Sequence, residues 1–262
     1  MKSIIFLFAI FLTLVFVLSE VQTNYHDAIG IPTANRIKAL EEAIQANRNI
    51  TIENRIIGGE LAPLNEYPFF AGLIISLVGT RSLSVCGASL LSPNRLVTAA
   101  HCKTDGVKLA RKFTVVLGSN KLYTGGERIV TRQVIEHPYY TYRPLIHDIA
   151  IIYLSRNAKI TNIVKPIRLP NYLESWKQFL GFSAVAIGFG RTREEQNTSI
   201  EPRVLNHVKL QVVQCPLKNG SNRLNIDILC TTGYGGAGIC FGDSGGPLII
   251  NDVTGNPFLV SY

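Results

Sequence analysis

The stretch Gly236–Pro247 reads GAGICFGDSGGP. So much glycine in one run favours neither a helix nor a regular strand, and the backbone freedom it gives belongs to a loop. Ser244 lies inside it between Asp243 and Gly245, and Cys240 precedes it by four residues. The chain has five cysteines, at 86, 102, 215, 230 and 240, so pairing leaves one over. A serine on a glycine loop is usually only part of a turn. What gives this one meaning is the sequence around it.

From Ile56 onward, short apolar runs alternate with clusters of Gly, Pro, Asn and Ser. The runs are PFFAGLIISLV, SLLSPNRLVTAA, KFTVVLG, ERIVTRQVIEH, DIAIIYL, SAVAIGFG, RVLNHVKLQVV, PLIIND and PFLVSY. Strands of this length between turn signals predict an all-β barrel or sandwich, and residues 56–262 suit one such unit. The beginning of the chain has a different character. Lys2 is followed by an apolar run from Ile4 to Leu18, shorter than the roughly 20 residues of a membrane helix, and then by small Ser19. Residues 1–19 therefore read as a secretory signal peptide, with a signal anchor as the alternative. Residues 20–55 are polar. Ile37, Leu40 and Ile44 stand there at helical spacing, with Thr33 or Asn35 in position to cap, which predicts one short amphipathic helix.

Secretion permits disulfides and suits the N-x-[ST] sequons at Asn49, Asn197 and Asn219. No later run is long and apolar enough for stable membrane insertion. The net charge of +8 is carried by residues 56–262, where the basic residues are scattered. Scattered cations make a solvated surface with mild steering power, so no nucleic-acid partner is expected.

Along the chain, in order, stand Arg55-Ile56-Ile57-Gly58-Gly59, Thr98-Ala99-Ala100-His101-Cys102, Asp148-Ile149-Ala150, Gly188-Phe189-Gly190 and Gly242-Asp243-Ser244-Gly245-Gly246-Pro247. Singly they admit ordinary readings: a core histidine, a strand-edge aspartate, a turn. Together they resemble the chymotrypsin-like serine proteases, the trypsin family, in which the triad residues follow the order His, Asp, Ser. The resemblance extends from Ile56 to Tyr262.

It implies an all-β fold of two six-stranded antiparallel β-barrels and a secreted serine-type endopeptidase. A serine hydroxyl is a poor nucleophile at neutral pH and needs an adjacent base. By the resemblance, His101 takes the proton of Ser244 and Asp148 orients the imidazole, while the N–H groups of Gly242 and Ser244 face the oxyanion. Ser261 resembles a family serine that hydrogen-bonds the triad aspartate. Residues 20–55 would be an activation propeptide, and cleavage after Arg55 would free the Ile56 ammonium to pair with Asp243. Cys86 would pair with Cys102 and Cys215 with Cys230. Cys240 would be unpaired here, its partner lying beyond Tyr262, so the protease domain, 56–262, is expected to lack its C-terminal strand and helix. The base of the primary pocket would fall at Gly238, beside Ile239. Trypsin-like members carry Asp there; a neutral Gly suits large apolar, aromatic, or broader elastase- or collagenase-like choices. Such an enzyme would cut its own Arg55 site poorly, so the partners expected are peptide or protein substrates, a trypsin-like activating protease and protein protease inhibitors.

Other chemistries are weaker. His26, His137, His147 and His207 lack a matching motif; His147, if extended, turns away from its neighbour Asp148. No metal motif appears, and GSNKLYTGGERIV, the stretch matching the family's calcium loop, has Glu127 alone as an acid, so no metal or other cofactor is expected. Gly233-Tyr-Gly235-Gly-Ala-Gly238 fits G-x-G-x-x-G, but the residues after it, Ile239 to Pro247, make a very poor helix, which excludes a dinucleotide site. The rival reading is a catalytically silent homologue acting as a binding or regulatory protein; such homologues usually lack a triad residue.

Overall fold

The structure, a computed structural model, describes residues 24–46, 60–63, 65–175, 177–190, 205–215, 228–232 and 243–261. Every apolar run read from the sequence contributes a strand. The strands are β1 (Glu60–Leu61), β2 (Phe70–Leu77), β3 (Leu83–Ser92), β4 (Arg95–Thr98), β5 (Ala110–Leu117), β6 (Glu127–Thr131), β7 (Gln133–Glu136) and β8 (Ala150–Tyr153), followed by β9 (Ser183–Gly188), β10 (Asn206–Val213), β11 (Cys230–Thr231), β12 (Leu248–Asn251) and β13 (Pro257–Ser261). They form two curled antiparallel sheets. Among the described residues one sheet has seven strands in the order β6-β5-β2-β3-β4-β8-β7. The other has six, β1-β10-β9-β12-β13, with β11 on β10. The fold is mostly β, with one long helix ahead of the sheets.

Side-chain alternation explains how two sheets share one seam. In β2, Ala71, Leu73, Ile75 and Leu77 face the hollow of the first sheet, among Leu90, Phe113, Val115, Leu117 and Ile152. The intervening Phe70 and Ile74 face the other way, among Val85, Val97, Ile187, Phe189, Ile249 and Leu259. Burial on both faces is why β2 reads as an unbroken apolar run. The second sheet closes on Ala184, Ala186, Leu210, Val212, Leu248, Ile250 and Phe258.

β3 begins at Leu83, although its sequence is small and polar enough that only the end from Ser89 reads as strand. Its small residues answer to close approaches. Gly87 faces the backbone of Gly246, and a Cβ on Gly87 would lie 2.6 Å from Gly246 Cα and 2.8 Å from Gly246 N. Ser84 and Ser89 are fully buried.

The predicted helix forms as α1 (Ile31–Ala46), led by a π-helical turn at His26–Gly30. Neither Thr33 nor Asn35 caps it. Both lie inside the helix, because the preceding turn already supplies acceptors: the Ile31 N–H bonds to His26 O. Ile37 is fully buried and, with Ala34, joins the cluster at the seam between the sheets. Burying an isoleucine contributes about 1.5–3 kcal/mol. Gly30 lies so close to Ser84 that a Cβ there would fall 1.9 Å from its Oγ.

Candidate active site

Thr98 ends β4, and a 3-10 turn at Ala100–Cys102 swings His101 off the sheet edge. Cys102 is bonded to Cys86 of β3, with an S–S distance of 2.00 Å, which ties that turn to the sheet. Asp148 stands just ahead of β8. Its carboxylate holds His101 twice: Oδ1 accepts the backbone N–H at 2.8 Å, and Oδ2 lies 2.7 Å from Nδ1. The carboxylate thereby fixes the imidazole in position and favours the ring proton on Nδ1, the nitrogen facing it. Both side chains are mostly buried, 12% and 21% exposed. His147 is not extended. Its φ of 51° turns the chain just before Asp148, and its ring stacks on His137 at 4.6 Å.

Ser244 comes from the other sheet, on the turn before β12. Gly245 has φ +77°, a region that suits glycine, and a Cβ there would meet Thr98 Oγ1 at 2.3 Å. The Gly87 N–H donates to Ser244 O at 2.8 Å, and the Thr98 hydroxyl to Gly87 O at 2.7 Å. One chain of contacts thus runs from the strand ahead of His101 to the backbone of Ser244. A cavity of about 210 Å³ opens beside them, lined by His101, Asp148, Ser244, Ile187, Pro247 and Ser261 among others. Ser261 makes no hydrogen bond to Asp148 among the described residues, although both line this cavity.

An alanine at Gly87 tests this seam. Its Cβ would press on main-chain atoms that cannot rotate away, so the Ser244 turn must shift relative to His101. Misplacement of a reacting group by about 1 Å costs roughly 100-fold. We expect Gly87→Ala to lower the reactivity of Ser244 by about that factor. A value within threefold of the parent, measured on folded protein, would show that the seam tolerates the shift.

Asp243 is half-buried beside Ser244. Its Oδ1 accepts the Gly190 N–H at 2.7 Å. A Cβ on Gly188 would lie 2.0 Å from Oδ1, and one on Gly190 would lie 2.3 Å from Oδ2. Both glycines of the Gly188-Phe189-Gly190 motif therefore make room for this carboxylate. Cys215 and Cys230 are joined, S–S 2.08 Å. Arg55, Ile56, Gly238, Ile239, Cys240, Gly242, Asn49, Asn197 and Asn219 lie outside the described residues, as do residues 1–19 and the G-x-G-x-x-G run.

The segment ahead of the sheets supplies residues to which the sequence motifs do not point. The Tyr25 ring lies against the His101 ring, centroids 4.4 Å apart, and its hydroxyl donates to Val85 O at 2.8 Å. Burial raises the Tyr25 phenol well above its usual range; the nearby Ser244 side chain acts in the opposite sense, and the carboxylates of Asp243 and Asp148 add to the rise. His26, fully buried, meets Ser84 Oγ through Nδ1 at 2.8 Å, and its backbone N–H donates to Asp105 at 2.8 Å. Burial lowers its pKa to about 4, so it is neutral at neutral pH. Glu41, 4% exposed, inserts its carboxylate into the loop matching the family's calcium loop. There it accepts the N–H groups of Leu122 and Tyr123 at 2.5 and 3.0 Å and the Thr124 hydroxyl at 3.0 Å. A signal for Glu41 exists: it lies four residues after Ile37, on the helix's apolar face, where an acid needs a partner.

A metal has little to hold it here. Cys86, His101 and Cys102 cluster among the described residues, but both sulfurs are spent in the disulfide, so no thiolate is available.

A family model described as Trypsin matches residues 56–260. The chain belongs to the trypsin family. It is a serine-type endopeptidase of that family. A collagenase from Hypoderma lineatum is 31% identical over 200 residues, 76% of this chain and 74% of that one. A trypsin from Simulium vittatum is 27% identical over 218 residues, 81% of this chain and 85% of that one. A solved collagenase structure matches with a TM-score of 0.62 and 26% identity, over 77% of this chain and 91% of that chain.

Proposed function

We propose that this protease is a secreted zymogen, activated by cleavage after Arg55, that hydrolyses peptide bonds through an acyl-enzyme on Ser244. The observation that carries the reading is the double hold of Asp148 on His101, which leaves Nε2 as the base, beside Ser244. Ser244 Oγ attacks the scissile carbonyl while His101 takes its proton. The imidazolium is stabilised by Asp148 and returns the proton to the leaving amine; water then repeats the cycle on the ester. The N–H groups of Gly242 and Ser244 receive the oxyanion, and each such donor contributes about 2.7–4 kcal/mol to lowering the barrier.

The protease domain starts at Ile56, after a signal peptide at 1–19 and a propeptide at 20–55. The two disulfides support a secreted protein. Gly238 and Ile239 in the primary pocket favour apolar or aromatic residues, or a broader elastase- or collagenase-like choice, over Lys and Arg. The similarity to a collagenase is in keeping with this. The activating cut after Arg55 then needs a separate trypsin-like protease.

The test is covalent labelling with a fluorophosphonate. Full chain cleaved at Arg55 and freed of its N-terminal segment is expected to be modified on Ser244, located by peptide mass mapping. Absence of labelling on folded, cleaved, separated protein would favour the catalytically silent homologue.

A further inference from the structure

Residues 24–46 do more in the structure than precede a cleavage site. Tyr25 covers the His101 ring, centroids 4.4 Å apart, and its hydroxyl donates to Val85 O at 2.8 Å. His101 Nε2, the atom that must accept the serine proton, is buried and makes no hydrogen bond among the described residues. The Tyr25 oxygen also lies 3.4 Å from Cys86 Sγ of the disulfide that holds the His101 turn. A substrate must bring its carbonyl to about 3 Å from Ser244 Oγ with the leaving nitrogen near Nε2. The Tyr25 ring, packed against the imidazole, competes for that space.

The segment is held at several points remote from one another. Asp27 pairs with Lys108 at 3.2 Å, His26 is locked onto Ser84 and Asp105, Ile37 is buried at the seam, and Glu41 fills the loop at Leu122–Thr124. The Tyr123 hydroxyl adds a bond to Ala34 O at 3.2 Å. Each of these joins a residue of the segment to the rest of the protein without passing through Arg55, so a cut there severs none of them. No cysteine occurs before Cys86, so no disulfide can tether the segment once it is cut.

We propose that residues 24–46 are a reversible inhibitor of the protease, blocking the cleft with Tyr25. Cleavage after Arg55 then does not by itself open the site; the segment must also dissociate, and the released segment inhibits in trans. The proposal rests on the reading of Ser244 and His101 as nucleophile and base.

The full chain is cleaved after Arg55 by trypsin, the fragments are separated, and the rate of fluorophosphonate labelling of Ser244 is measured. A synthetic peptide spanning residues 20–46 is then titrated back, with its binding followed separately by fluorescence anisotropy. The expected result is saturable, competitive slowing of labelling. In the peptide, Tyr25→Ala removes a buried aromatic side chain and is expected to raise the inhibition constant about 100-fold or more. Glu41→Gln, which keeps the shape but loses the charge-assisted bonds, is expected to raise it about tenfold. Labelling unaffected at peptide concentrations that saturate binding, or no binding up to millimolar peptide, overturns the proposal alone. Absence of labelling in the separated enzyme without peptide overturns the protease reading and the proposal with it.

Discussion

Asp148→Asn is expected to leave the protein folded and to lower kcat of the cleaved, separated enzyme by about 10⁴-fold, the scale found when this position is changed in a Ser-His-Asp triad. The reasoning starts from the two oxygens of Asp148. One accepts the His101 backbone N–H at 2.8 Å and the other faces Nδ1 at 2.7 Å. An asparagine can keep its carbonyl oxygen on the backbone N–H, so the turn at Ala100–Cys102 stays in place. Its NH₂ group then faces Nδ1, which must become the acceptor. The ring proton moves to Nε2, and the atom that should receive the serine proton now carries one of its own. Circular dichroism and the melting temperature should match the parent while kcat collapses. Activity within tenfold of the parent would mean that Asp148 does not set the tautomer of His101.

Arg55→Gln is expected to give a chain that resists the activating protease and stays at least about 10³-fold below the processed enzyme, the scale of one or more missing oxyanion donors. The physical link is Asp243. Its carboxylate packs onto Gly188 and Gly190, and it immediately precedes Ser244, whose N–H is a proposed oxyanion donor. The Ile56 ammonium proposed to pair with it comes into being only on cleavage, so the charge that organises the turn is made by the cut. Because the uncut chain also keeps Tyr25 packed on His101, the double variant Arg55→Gln with Tyr25→Ala separates the two effects. It should remain inactive towards a peptide substrate even with the cleft unblocked. Substantial activity in that double variant would make cleft blocking, and not the new ammonium, the reason for latency.

The strand runs, the change of character at Ile56 and the residues around His101, Asp148 and Ser244 are legible because each has a local signature. Apolar runs between turn residues mark strands, and the glycines around Ser244 mark a backbone that must come close to something. The first part of β3 is not legible. Its Ser84 and Gly87 look like loop chemistry, and their smallness is dictated by Gly30 and Gly246, far away in the chain. The start of α1 departs from its expected cap for a related reason: a π-helical turn at His26–Gly30 supplies the acceptors, and such a turn has no side-chain signature at the helix start. Tyr25 and His26 give no sign at all. A lone aromatic and a lone histidine in a polar stretch acquire meaning only from distant partners, His101 for Tyr25 and Ser84 and Asp105 for His26. Glu41 is half legible, as an acid on an apolar stripe.

The contact between Gly87 and Gly246 bears on how the sequence can change. Most tight packing between side chains can be repaired: a residue that grows on one side is matched by one that shrinks on the other. Here the partners are main-chain atoms, and each position already carries the smallest residue there is. A substitution at Gly87 has no compensating substitution at Gly246. Genetic suppressors of such a change must therefore lie elsewhere, in core residues that reset the spacing of the two sheets, such as Phe70, Val85 or Ile187.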